Sequence, residues 1–277
     1  MPKYTDIQPF ELPESFDEEG YLHSRIEEIR QMYLEHIGEI DKICDPKLQK
    51  LCLFSLIDSL AQAYSDYEKN NKTKDTFTEF VSKFGKEIQY LDMIEPVTLY
   101  YSIEHLIEDV KWLPELPPEP ELSIDELELC DEMMLSGVLS SPFCDHVREY
   151  ARKKLDVKTV EKLEKSHSVL SLLYQVRNKV THELNDVGQE YRFEYKDEHT
   201  EPYYRNMSIV AVKAGKLVSY DTVAFVIPVA FVKTVFLTCL NNYLTYCADN
   251  SKDPFHKNKD RDVLWLSWYD KPAGVLS

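Results

Sequence analysis

Apolar residues recur at steps of three and four along most of this chain, the spacing that lines one side of an α-helix. Over 23–43 the stripe is Ile26, Ile29, Tyr33 and Ile37, and over 47–68 it is Leu48, Leu51, Phe54, Leu60, Ala61 and Tyr64. Asn70, Asn71 and Lys72 make a polar break, after which Phe77, Phe80, Val81 and Phe84 mark a short helix. Further helices are predicted over 96–112 and 145–155. A long one follows over 157–184, with Val160, Leu163, Leu170, Leu173, Val180 and Leu184 in register and His167 and Arg177 on the same line. An arginine on an apolar stripe needs an acidic partner, an interface or a site, because an unpaired buried charge is costly.

Beyond Gly188 the period changes from helical to alternating. Tyr191, Phe193 and Tyr195 predict one strand, 209–212 another, Ala214, Gly215 and Lys216 a turn, and 217–220 a return strand. Pro228 suits the first turn of a last core helix. Residues 222–248 hold a single charged residue, Lys233, but Pro228, Asn241, Asn242 and the hydroxyls of Tyr243 and Tyr246 interrupt the run. That pattern fits a buried core helix rather than a bilayer span. The expected architecture is mainly α, a helical bundle over 20–250 with a small β-hairpin at about 189–220 inserted before the last core helix. A flexible acidic segment (1–19) precedes it, a Pro-rich connector (114–121) interrupts it, and a tail (251–277) carrying Trp265 and Trp268 follows.

Composition narrows the function classes. The 277 residues suffice for a sizeable core, and only 7 glycines favour helix over a loop-rich fold. A net charge of −17 repels nucleic acid and anionic membranes on average, so any polyanionic substrate needs a local basic patch. Eleven acidic residues against Lys111 fall within 104–132, a solvated surface or an acidic mimic of nucleic acid. The 6 cysteines show no C-x-x-C pair and no metal-ligand spacing, and the N-terminus carries no basic-plus-apolar signal. Free thiols, a cytoplasmic location, no metal and no cofactor are expected.

One stretch exceeds what a core helix requires: Tyr174-Gln175-Val176-Arg177-Asn178-Lys179-Val180-Thr181-His182-Glu183-Leu184. Asn178 and His182 lie one turn apart on a shared face. Arg177 is about 140° round from His182, with a side chain long enough to reach the same point. A fixed cation, an amide and an imidazole suit phosphate chemistry. Upstream, Lys158, Lys162 and Lys165 recur at i, i+4 and i+7, a face able to follow a phosphate backbone or simply solvated, with Glu161 and Glu164 interleaved.

The Arg177-Asn178-x-x-x-His182 arrangement late in a helical pattern, approached by Leu172-Leu173-Tyr174, resembles the motif of the HEPN superfamily (higher eukaryotes and prokaryotes nucleotide-binding domain). The segment Leu51-Cys52-Leu53-Phe54-Ser55-Leu56-Ile57-Asp58-Ser59-Leu60, followed by Phe77 and Phe80, looks like the first half of some such domains. The resemblance implies a metal-independent endoribonuclease in a toxin or anti-phage defence setting. It further implies an RNA substrate, a homodimer whose two Arg/His sets line one composite cleft, and control by a neutralising partner protein. In that reading His182 moves a proton to or from the ribose 2′-hydroxyl or the leaving 5′-oxygen. Arg177 stabilises charge on the phosphorane and Asn178 orients the phosphate or the imidazole. One family mode of control modifies a tyrosine two residues after the histidine, where this chain has Leu184. Two other readings stay open: a non-catalytic HEPN-like module that dimerises or binds a nucleotide or partner, and an acidic decoy acting through 104–132.

Overall fold

The last long apolar run forms the centre of the bundle. In the computed structural model, which describes residues 18–68, 73–110, 132–183, 199–213 and 216–255, helix α9 (Val229–Asp249) starts just after Pro228. It buries Phe231, Val232, Val235, Phe236, Cys239, Leu240, Tyr243, Leu244 and Cys247. Alternating steps of one and three give a stripe wide enough for several neighbours. Those neighbours are α1 (Glu18–Ile40), α2 (Pro46–Glu68) and α3 (Thr73–Phe84). Tyr64, Phe80, Phe84 and Tyr243 interlock with ring centroids 5.1–6.3 Å apart. Lys83 lays its ammonium 4.6 Å from the ring centroids of both Tyr64 and Tyr246. Burial lifts the Cys239 thiol to about 12 and that of Cys247 to about 11, so both act as apolar filler rather than nucleophiles. The five cysteines among the described residues are free thiols. Among those residues no helix is long and apolar enough to cross a membrane.

The other half of the bundle is built on α4 (Pro96–Val110), against which α6 (Phe143–Lys154) and α7 (Val157–Ser166) pack. Helix α8 (Val169–Glu183) lies instead on α2 and α3. The helix predicted over 157–184 is therefore two helices. At the break the His167 N–H closes on the Leu163 carbonyl at 2.9 Å, while its ring meets Ser102 Oγ through Nε2 at 2.8 Å. Ser168 Oγ accepts the Ser171 N–H, and the first amides of α8, from Val169 and Leu170, donate to the carbonyls of Met93 and Leu91 at 2.9 Å. Ser166-His167-Ser168 is a capping sequence inside an unbroken apolar rhythm, and the 91–95 loop supplies the acceptors that make the break favourable. His167 and Arg177 consequently do not share a line.

Among the described residues, three antiparallel strands in the order β1–β2–β3 pack beside the helices: β1 (Glu132–Met134), β2 (Tyr203–Lys213) and β3 (Lys216–Val226). The predicted strands at 209–212 and 217–220 are the distal parts of β2 and β3, paired Ile209 with Tyr220. The third predicted strand, at Tyr191, Phe193 and Tyr195, and the turn residues Ala214 and Gly215 lie outside the described residues, as do the whole connector and most of the two tails. The short β1, followed at once by α5 (Leu135–Leu139), joins the base of β2 and was not legible. That base is tied into the helices by Glu95, which is wholly buried. Its carboxylate accepts the amides of Val97 at 2.7 Å and Thr98 at 2.8 Å, the Thr98 hydroxyl and the Tyr204 hydroxyl. Burial pushes the Glu95 carboxyl up, and its four donors pull the other way.

Candidate functional site

The residues of α8 divide by helical angle. Leu173, Val176, Arg177 and Val180 stand at i, i+3, i+4 and i+7, and all four are buried. Gln175, Lys179, Thr181 and His182 are exposed on the opposite side, with Asn178 half-buried between the two faces. Arg177 therefore occupies a core position on the side that meets α2, and His182 a solvent position at the last turn.

Arg177 does not swing toward His182. Its Nε and Nη2 donate to Oδ2 of Asp58 on α2, at 2.9 and 2.6 Å. Its Nη1 donates to Oδ1 of Asn178 at 2.9 Å, and its guanidinium carbon stands 5.8 Å from the centroid of the Tyr174 ring. Tyr174 in turn packs against Phe77 of α3 with centroids 5.5 Å apart. With its side chain 11 % exposed, Arg177 is a cation held by three residues, Asp58, Asn178 and Tyr174. A guanidinium has five N–H donors, so one remains on each of Nη1 and Nη2. Asp58 feels two opposed effects: burial raises its carboxyl and the Arg177 contact lowers it, with burial the larger.

The structure thus joins Arg177 to Asn178 and sets His182 apart from both, without a hydrogen bond to either. It adds a residue that sequence reasoning missed as a participant, Asp58. The available signal was a lone carboxylate between Ile57 and Ser59 in a helix whose Phe54, Ile57, Leu60 and Ala61 are buried. A buried arginine predicted an acidic partner but not which one, since the two residues are 119 positions apart.

Lys158, Lys162 and Lys165 are all exposed on α7. Because α7 ends at Ser166 and His182 stands at the far end of α8, the lysine face is not an upstream extension of the motif helix. The 13 helical steps from Val169 to His182 advance about 20 Å. No group of three or more His, Cys, Asp or Glu side chains among the described residues is placed to hold a metal ion. No family model matches this chain, and neither a curated protein nor a solved structure does.

Proposed function

We propose that the chain is a metal-independent endoribonuclease of HEPN type, related to toxin or defence systems, that cleaves RNA by attack of the ribose 2′-hydroxyl. The observation that supports this reading is the Asp58–Arg177–Asn178 chain of hydrogen bonds one turn before an exposed histidine. Asp58 and Tyr174 fix a cation that still has two N–H groups for a phosphate, and fixing it beforehand lowers the reorganisation needed when charge develops. His182, free to face solvent at the end of α8, takes the proton-transfer role. A second copy of the chain would bring its own His182 to the same cleft, which gives the proposed homodimer a chemical reason: within one chain the cation and the imidazole point apart. RNA, a second copy and a neutralising protein are the partners in this reading.

A second reading has a specific observation behind it. Arg177 is buried and paired, as a residue that only holds α8 to α2 would be. The same residues would then stabilise a non-catalytic HEPN-like module. The deciding experiment is cleavage of a mixed pool of labelled RNAs with EDTA present, comparing wild type with His182→Ala. Cleavage that leaves 2′,3′-cyclic phosphate ends and disappears in the variant supports the nuclease. A folded, dimeric wild type that cleaves none of the pool supports the module.

A further inference from the structure

Several helix-interior hydroxyls in this bundle turn back on their own backbone. Ser55 donates to Leu51, Thr78 to Lys74, Thr234 to Ala230 and Thr245 to Asn241, in each case the carbonyl one turn earlier. Ser102, in the interior of α4, does not. Its one hydrogen bond among the described residues runs to Nε2 of His167, 65 positions away, at 2.8 Å. The far side of that imidazole is fixed. Nδ1 stands 2.8 Å from the Leu163 carbonyl oxygen and 3.0 Å from Ser166 Oγ. A carbonyl only accepts, and the Ser166 hydroxyl gives its own proton to that same carbonyl at 2.9 Å. Nδ1 therefore faces two acceptors and carries the ring hydrogen. Nε2 is left as a bare lone pair, and the Ser102 hydroxyl donates to it.

A serine hydroxyl aimed at the lone pair of a histidine, with a third group holding the histidine from behind, is the arrangement that activates an oxygen nucleophile. Both side chains are half-buried rather than sealed. Leu106, one turn further along the same face of α4, and Tyr101, next to Ser102 in the chain, are each 37 % exposed. The Ser168 N–H, which follows His167, donates to no acceptor among the described residues. We propose that Ser102 and His167 are the nucleophile and base of an esterase site for small apolar acyl groups. Ser102 Oγ attacks the ester carbonyl carbon while its proton passes to Nε2. The carbonyl electron pair moves onto its oxygen, for which the Ser168 N–H is the spare donor. When that pair returns, the bond to the alcohol oxygen breaks and the alcohol leaves with the proton from Nε2. Water then adds to the acyl-serine by the same exchange, and the carboxylic acid departs as Oγ recovers its proton. Leu106 and Tyr101 give the acyl chain an apolar rest. Neither Ser102 nor His167 belongs to the Arg177, Asn178 and His182 set, so this inference and the nuclease reading can fail separately.

An alkyl fluorophosphonate probe, applied to the intact chain and located by peptide mapping, tests the dyad. Ser102 should be phosphonylated in the folded protein and left untouched in urea, where the histidine is no longer beside it. Hydrolysis of p-nitrophenyl butyrate gives the second readout. Ser102→Ala should abolish the enzymatic rate, and His167→Gln should lower it by at least about 10²-fold. Ser102→Ala deletes one oxygen from a helix interior and puts the best helix former there, so its loss of rate is not a loss of fold. A folded wild type that takes no label at Ser102 overturns the proposal. So does labelling that proceeds at the wild-type rate in folded His167→Gln, and so does ester hydrolysis that survives Ser102→Ala.

Discussion

Arg177 and His182 belong to one short motif, yet the fold treats them as opposites. Arg177 is 9 % exposed, gives two hydrogen bonds to Asp58 and rests on Tyr174; His182 stands in solvent at the end of the same helix. The difference teaches which half of such a motif is diagnostic. A buried, paired arginine is explained by the cost of breaking the pair, whatever the protein does. An exposed histidine on the solvent face contributes little to folding, so a function that depends on it shows up as chemistry alone.

The largest expected effect follows from that asymmetry. On the proposed nuclease reading, His182→Ala should lower RNA cleavage by about 10²–10⁴-fold. The same variant should unfold within about 0.5 kcal/mol of wild type, as surface changes do. Parallel cleavage rates and denaturant titrations check this, and a variant that cleaves normally would remove His182 from the chemistry. The opposite profile is expected across the pair. Asp58→Ala should cost about 3 kcal/mol of stability by stranding the Arg177 guanidinium. A double-mutant cycle with Arg177→Ala should recover a coupling of about 1–3 kcal/mol. Additive losses would mean that the two side chains do not share an interaction in solution.

Glu95 sharpens the contrast, because it is a buried carboxyl held only by neutral donors. Glu95→Gln turns a two-oxygen acceptor into one carbonyl and one NH₂ facing the Val97 and Thr98 amides, so a loss of about 1–3 kcal/mol is expected. The pH dependence has a definite sign. Burial raises this carboxyl in the folded state, so the folded protein holds the proton more tightly than the unfolded chain. The stability that Glu95 contributes is complete below the ordinary carboxylate value and declines as pH rises through the raised one. The gap between wild type and Glu95→Gln should therefore be widest in acid and narrow toward neutrality, measured by denaturation at stepped pH. A gap that widens toward neutrality would mean that the four donors outweigh burial. The smallest effect is the control: Lys179→Ala, exposed on the same helix, should change stability by less than about 0.5 kcal/mol.

Much of the bundle was legible because amphipathic periodicity reports burial directly. The stripes of Ile26, Ile29, Tyr33 and Ile37, and of Phe77, Phe80, Val81 and Phe84, are buried in the structure as their spacing predicts. The break at His167 was not legible, since apolar rhythm continues across it and the cap is completed by carbonyls of Leu91 and Met93, more than 70 residues earlier. The base of β2 escaped notice because Tyr203, Tyr204 and Arg205 show no alternation of their own and owe their strand to β1 and β3. Within the candidate site, residue types and spacing were readable while direction was not. A helical angle places Arg177 on the core stripe, but the length of its side chain left its target open.

The sequence by itself determined most of the helical segments, the buried stripes of α1 and α3, and that 229–249 belongs inside the bundle. Each follows from local period and transfer of apolar area out of water, whereas Leu48 of the predicted α2 stripe is exposed. Only the tertiary structure decided that Arg177 turns to Asp58, that the lysine face sits on a separate helix from the motif, and that Glu95 is sealed beneath β2. Those outcomes rest on pairings between residues far apart in the chain, and the energy of a buried charge depends on what surrounds it rather than on its own identity.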